Sequence, residues 1–310
     1  MENRPDREQP RDIEVFLPRS VDLLTRERPP EPDYAMQPKK DRRLLVLLLF
    51  LATCGTTFFV WLLIGGGLVG ALQYSGTVMS ILLFHEMGHY LQARRYNVPA
   101  SLPYFIPMPL PPLGTMGAVI VQGAGVADRK QMFDIAISGP LAGLLIALPV
   151  MYFGVTQTHI VQPQVGQPGI AFGDPLIIKW TVAMVHRPLN PGEDVALTPV
   201  LFAGWVGIFV TALNLIPIGQ LDGGHILYTL IGKRAHVVAI GLLLGAIAYM
   251  VITRYFAYSL IVVLLLLFGP KHPPTADDTV PLGAFRVVLG WLTLGFIVIG
   301  FTPTPIVNMP

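Results

Sequence analysis

Apolar residues run almost unbroken from Leu44 to Phe84, and the first charge after Arg43 is Glu86. At about 20 residues per crossing, a run of that length predicts nearly two membrane-spanning helices. "GGGLVG" (65–70) and "QYSG" (73–76) predict the turn between them. Further apolar stretches lie near 132–153, 197–218, 236–253, 256–269 and 283–301. The last three include a short pair separated by Arg254 and its flanking tyrosines, so the pattern predicts six to seven spans. The fold class it implies is an all-α polytopic membrane protein.

The segment 96–127 breaks the pattern. It carries no charge but six prolines, in "VPASLPYFIPMPLPPLGTMGAVI" and its flanks. Proline at that density cannot continue a spanning helix. Irregular backbone is tolerated at membrane depth only where protein or a wet cavity satisfies its polar groups. The segment reads as a re-entrant or interfacial loop, with a β-hairpin as one form and an ordinary cytosolic loop as the alternative.

Charge sharpens this picture. The chain has 310 residues, 13% of them charged, with a mean hydropathy of +0.59. Residues 1–43 hold ten Lys/Arg and ten Asp/Glu, which leaves eleven basic and nine acidic side chains for residues 44–310. Two domains are expected: a disordered, charged cytosolic tail (1–43) and a membrane-embedded domain (44–310). With the tail in the cytosol, Arg94, Arg95, Arg129, Lys130, Lys233, Arg234, Lys271 and Arg286 all flank spans on that side. Only Lys179, Arg187 and Arg254 fall outside, so the basic residues favour a cytosolic N-terminus. The start resembles neither a secretory signal nor an acid-poor transit segment, which points to a bacterial plasma membrane. The lone Cys54 has no partner for an intrachain disulfide, and no internal repeat is visible.

Within the second span lies "LLFHEMGHYLQARR" (82–95), with His85, Glu86 and His89 in the H-E-x-x-H pattern. Positions i and i+4 share one helical face, so both imidazoles can address one metal ion. Glu86 lies about 100° around the helix from His85, beside the metal rather than on it. The chemistry needs that division: neutral imidazoles hold zinc, zinc acidifies water, and a carboxylate takes the proton. Chance supplies only ~0.004 such patterns in a chain with this His and Glu content. Counted from Arg94 at 1.5 Å per residue, His89 sits about 7 Å and His85 about 13 Å inside. Ionisable groups at such depth mark function by default.

A third ligand is still required. The best candidate is Asp222 in "NLIPIGQLDGGH" (214–225), the only acidic residue between Asp194 and Asp277. Pro217, Gly219, Gly223 and Gly224 are expected to break the helix around it and free its carboxylate; an interfacial turn aspartate is the alternative. Asp134 reads as a helix-start residue complementing the backbone dipole. His225 is either near the metal or in a turn. His159, His186, His236 and His272 read as ordinary loop residues.

"FHEMGHYLQARRYNV", "LPYFIP", "GTMGAVI", "FDIAISGPLAG" and "NLIPIGQLDGGH" together resemble the site-2 protease family of intramembrane zinc metalloproteases, over about residues 44–290. The resemblance implies one zinc per chain on His85, His89 and Asp222, with Glu86 as catalytic acid/base. It implies that Asn214 helps to position the substrate carbonyl. It also implies that the loop containing Gly114 and Gly117 presents an edge to unfolded substrate. No PDZ-like insertion or cystathionine-synthase-type appended domain is visible. The expected partners are single-span membrane protein substrates and the lipid bilayer, not nucleic acid; the sequence is silent on oligomeric state. The rival reading is a metal-binding transporter or channel using the same His and Asp residues, which gives Glu86 no particular task.

Overall fold

The computed structural model of the protein describes residues 42–123, 125–162 and 169–309, and the expected charged tail lies outside that range except for Arg42 and Arg43. The first apolar run folds into α1 (Arg43–Leu63) and α2 (Gly67–Arg95), joined by residues 64–66. The expected turn at "QYSG" instead lies within α2. There Tyr74 and Ser75 are buried against α1, and Ser75 Oγ donates to the Cys54 carbonyl at 2.9 Å. Polar residues inside the run thus serve the helix–helix contact, not a turn.

A β-hairpin follows: β1 (Tyr104–Pro107) pairs antiparallel with β2 (Thr115–Val119), Tyr104 opposite Val119. Its turn rests on the first two helices. Thr56 Oγ1 donates to the Gly114 carbonyl at 2.7 Å, and Tyr74 Oη donates to the Leu113 carbonyl at 2.7 Å. Non-helical carbonyls are therefore satisfied by hydroxyls from flanking helices, as they must be in an apolar setting.

α3 (Arg129–Thr156) starts at Asp128, not Asp134. The Asp128 carboxylate accepts from the Gln131 N–H at 2.8 Å, and the Gln131 side chain accepts from the Asp128 N–H at 3.1 Å. That capping box leaves Asp134 a different task. Its carboxylate takes the Nε and Nη2 hydrogens of Arg286 at 2.7 and 2.9 Å, and the Tyr96 hydroxyl.

Beyond α3, the short strands β3 (Ile160–Val161), β4 (Gly169–Phe172) and β5 (Asp194–Val195) flank α4 (Leu176–Val185). β3 pairs with β5, and β4 pairs with β6 (Ile306–Met309) at the far end of the chain. α4 was not expected, because its ten residues are too few for a span and sit among loop-forming prolines. α5 (Pro199–Asn214) is capped by the Thr198 side chain and buried on nearly every side, as a helix apolar all round should be. α6 (Asp222–Ile231), a one-turn 3₁₀ segment (Gly232–Arg234), α7 (Ala235–Thr253), α8 (Ser259–Phe268) and α9 (Ala284–Gly300) complete the bundle.

Among the described residues, four helical stretches are long and apolar enough to cross a membrane alone: α1, α2, α3 and the stretch from Asp222 to Thr253. Six to seven had been expected. The difference arises where residues 215–221 cut short the stretch at 197–218 and residues 254–258 separate those at 236–253 and 256–269, which with the last stretch leaves helices of 16, 10 and 17 residues. The core lies where α2, α3 and α5 meet. An added Cβ at Gly204 of α5 would lie 2.7 Å from the Met151 Cα of α3, and one at Gly154 would lie 2.5 Å from the Leu201 Cα. Small residues at these crossings let the backbones touch. Large apolar side chains such as Leu47, Leu51, Leu145, Leu267 and Trp291 cover the outside.

Candidate metal centre

His85 and His89 lie one turn apart on α2, both facing α3. The opposing helix makes room for them with glycines at the same i, i+4 spacing. An added Cβ at Gly139 would sit 2.0 Å from His89 Nε2, and one at Gly143 would sit 3.0 Å from His85 Nδ1. The His89 Nδ1–H donates to the Ile135 carbonyl of α3 at 2.8 Å, which fixes the tautomer and turns the Nε2 lone pair inward.

Asp222 arrives from the other side as the first residue of α6. The chain reaches it through a tight turn in which Gly219 adopts a positive φ of 58° and donates its N–H to the Pro270 carbonyl at 3.1 Å. Gly223 and Gly224 do not break a helix here, contrary to expectation. They begin one, and their bare Cα atoms permit contact with the 215–219 turn: a Cβ at Gly223 would lie 1.7 Å from the Leu215 carbonyl oxygen. The result brings Asp222 to both histidines.

Asp222 Oδ2 stands 3.1 Å from His85 Nε2, Asp222 Oδ1 3.3 Å from His89 Nε2, and the two Nε2 atoms 3.3 Å from each other. A tetrahedral zinc with ligands at about 2.0–2.1 Å spaces them about 3.3 Å apart, so the triad has the dimensions and donor chemistry of such a site. Among the described residues, this is the one group of three or more metal-binding side chains converging in this way. Asn214, the last residue of α5, places its amide nitrogen 3.4 Å from His85 Nε2. Glu86 is buried and borders the same cavity, about 160 Å³ in volume.

The cavity's remaining walls come from the hairpin side, with Ala118, Val119, Ile120 and Gln122, and from α3, with Met132, Ile135 and Ala136. Gly114 and Gly117 do not line it. Gly114 has a packing reason instead: a Cβ there would lie 2.6 Å from the Thr57 Cα of α1.

His225 does line the cavity, and its Nδ1 bonds Nε2 of His272. His272 is no ordinary loop residue: it is buried and stacked on Tyr228, with ring centroids 4.3 Å apart. Burial pushes its imidazole down to about 4, so it is neutral at pH 7. Its own Nδ1–H goes to the Pro273 carbonyl, so Nε2 accepts and His225 donates.

Reading the sequence missed Gly139, Gly143, His225's partner and Gln122. The glycines had a signal, since their i, i+4 spacing matches that of the histidines they accommodate.

A family model described as "Peptidase family M50" matches residues 74–252, more than half of the chain and every residue of the triad. The chain belongs to peptidase family M50. The match bears out the resemblance to site-2 proteases, and with the apolar helices it makes this M50 chain a membrane protein. The chain is 35% identical over 170 residues to the "Probable zinc metalloprotease EGY1, chloroplastic" of Oryza sativa subsp. japonica, covering 53% of this chain and 29% of that protein. It is 28% identical over 253 residues to the "Probable zinc metalloprotease EGY2, chloroplastic" of Arabidopsis thaliana, covering 78% of this chain and 43% of that protein. The M50 chain thus spans less than half the length of these curated relatives.

Proposed function

We propose that this M50 chain is an intramembrane zinc metalloprotease that hydrolyses peptide bonds of membrane-spanning proteins. The observation that carries the reading is the convergence of His85, His89 and Asp222 at zinc-ligand spacing beside a buried Glu86. Zinc bound by those three side chains would supply a Lewis acid that polarises water and the scissile carbonyl. Glu86 takes the proton of the attacking water and returns it to the leaving nitrogen as the C–N bond breaks. The Asn214 amide, beside His85, donates to the carbonyl oxygen as charge builds there. The hairpin before α3, with Gly114 packed on α1 at its turn and Gly117 within β2, offers its edge, including Val119, to an extended substrate.

The wider topology belongs to the same proposal. α5 and α9, at 16 and 17 residues, join the four longer stretches as spans to give six, and the ten-residue α8 makes a seventh, with the hairpin re-entrant among them. The excess of basic residues around α2, α3 and α6 supports a cytosolic side for their ends and for the charged tail. Substrates are single-span proteins, whose unfolded segments reach the cavity from the bilayer. A bacterial plasma membrane is the proposed setting; the relatives' names place those proteins in chloroplasts. A transporter built on the same triad would leave Glu86 without a task.

The test is direct. Purified protein in detergent or bilayers should carry one zinc and cut an apolar spanning peptide. A chelator should stop the reaction and added zinc restore it. A chain that binds zinc and moves it across liposome membranes without cutting any spanning peptide would overturn the reading.

A further inference from the structure

Gln122 is a polar residue in the cavity wall without a partner. The chain around it is held on both sides by pairing with residues 99–101. Gln122 itself bridges Ala100, the Ser101 N–H donates to the Val121 carbonyl at 2.9 Å, and the Gly123 N–H donates to the Pro99 carbonyl at 2.9 Å. The Val121 N–H completes the clamp with Ser101 Oγ at 3.0 Å. The side chain therefore leaves a fixed stretch of backbone and borders the cavity that holds the His85, His89 and Asp222 cluster.

Its amide Nε2 is sealed from solvent and finds no hydrogen-bond partner among the described residues; no other buried side-chain nitrogen or oxygen there shares that condition. A buried donor left unpaired is costly, and folded proteins tolerate few of them. One that persists in a cavity wall has its partner in whatever enters the cavity. Away from the His85, Glu86, His89 and Asp222 cluster, the cavity wall includes the apolar residues Ala100, Ala118, Met132 and Ala136, which suit a neutral partner rather than an ion. A peptide unit is neutral and offers both a carbonyl acceptor and an N–H donor, matching the donor and acceptor of a primary amide whichever way the amide is turned.

We propose that the Gln122 side-chain amide hydrogen-bonds a backbone peptide unit of the bound substrate, and so registers the extended chain against the zinc triad and Glu86. The inference rests on the protease reading and adds a substrate-binding residue to it. Because every peptide repeats the same backbone groups, Gln122 contributes affinity for an extended strand and no preference for particular side chains.

Binding can be separated from hydrolysis by working with Glu86→Gln protein. A fluorophore-labelled peptide of about 25 residues with one apolar span is titrated against that protein with and without a second change, Gln122→Leu. The second change should weaken binding about tenfold while zinc content stays the same. Thermal stability should hold or rise, because an unpaired buried amide has been removed; a purely structural Gln122 would lower it. Replacing one backbone amide of the peptide at a time by an ester should then reveal one position that costs affinity with Gln122 present and costs nothing after Gln122→Leu. Equal affinity with and without the change, or an ester profile unaltered by it, would overturn the proposal. So would failure of the peptide to bind the Glu86→Gln protein. If the unmodified chain cuts no peptide while this position-specific dependence holds, the protease reading falls and the Gln122 contact stands.

Discussion

His89 Nε2 and Asp222 Oδ1 lie 3.3 Å apart, although α3, α4 and α5 intervene between them in the chain. The contact exists because α6 begins at Asp222 after a glycine-dependent turn, while α2 presents both imidazoles on one face. Asp222→Asn keeps the volume and removes the anionic donor. Outer-shell changes alone cost about 10- to 100-fold in metal affinity, so loss of this ligand should cost at least that. Zinc content of purified Asp222→Asn protein should fall accordingly while helix content is retained; His85→Ala should behave the same way.

The glycines opposite the histidines give a second expectation. Gly139→Ala puts a methyl group 2.0 Å from the present position of His89 Nε2, and the ring must move to admit it. Zinc affinity should fall at least about tenfold with the helices intact. Gly55→Ala in α1, where an added Cβ meets nothing within 4 Å, should leave zinc unaltered. Metal analysis of the two purified proteins provides the comparison.

Asp134 should prove structural. Its bidentate pair with Arg286 ties α3 to α9, and the Tyr96 hydroxyl adds the end of α2. Asp134→Ala leaves a partly buried guanidinium and a phenol without their acceptor, at a cost of about 1–3 kcal/mol. Melting in detergent should shift down, and zinc stoichiometry should stay at the wild-type value.

Much of the site was legible in the sequence for a physical reason. His85, Glu86 and His89 fall on one helix, where spacing alone determines which side chains share a face. Asp222 was legible as a candidate because acidic residues are so rare across this part of the chain. The glycines beside it were misread: sequence shows a residue without a side chain, but not whether that absence serves to bend the chain or to admit the carbonyl of Leu215. Asp134 was misread in the same way, since its partners Arg286 and Tyr96 are remote in sequence while the true cap, Asp128, makes only local bonds. Gln122 could not be singled out at all. An unpaired amide is a property of its surroundings, and Gln122 acquires it only when the chain after the hairpin pairs with residues 99–101 and borders the cavity. Only four of the expected six to seven spans have full spanning length in the structure, because breaks at 215–221 and 254–258, which hydropathy averages over, shorten the helices beside them.

The proposed orientation predicts accessibility. In a Cys54→Ser background, a cysteine at Lys233, exposed beside α6, should react with a membrane-impermeant reagent from the cytosolic side. One at Asn190, in the exposed loop between α4 and α5, should react from the opposite side. The reverse pattern would invert the topology.

Glu86→Gln tests the central claim most directly. The amide is nearly isosteric with the carboxylate and is not one of the three converging donors, so the metal should stay. It cannot take a proton from water, and loss of a general base commonly costs about 10²–10⁴ in rate. The measurement pairs zinc stoichiometry with cleavage of a spanning peptide on the same purified preparation. The account predicts wild-type zinc with cleavage reduced by that factor or abolished. Glu86→Gln protein that holds zinc and cuts the peptide at the wild-type rate would contradict it.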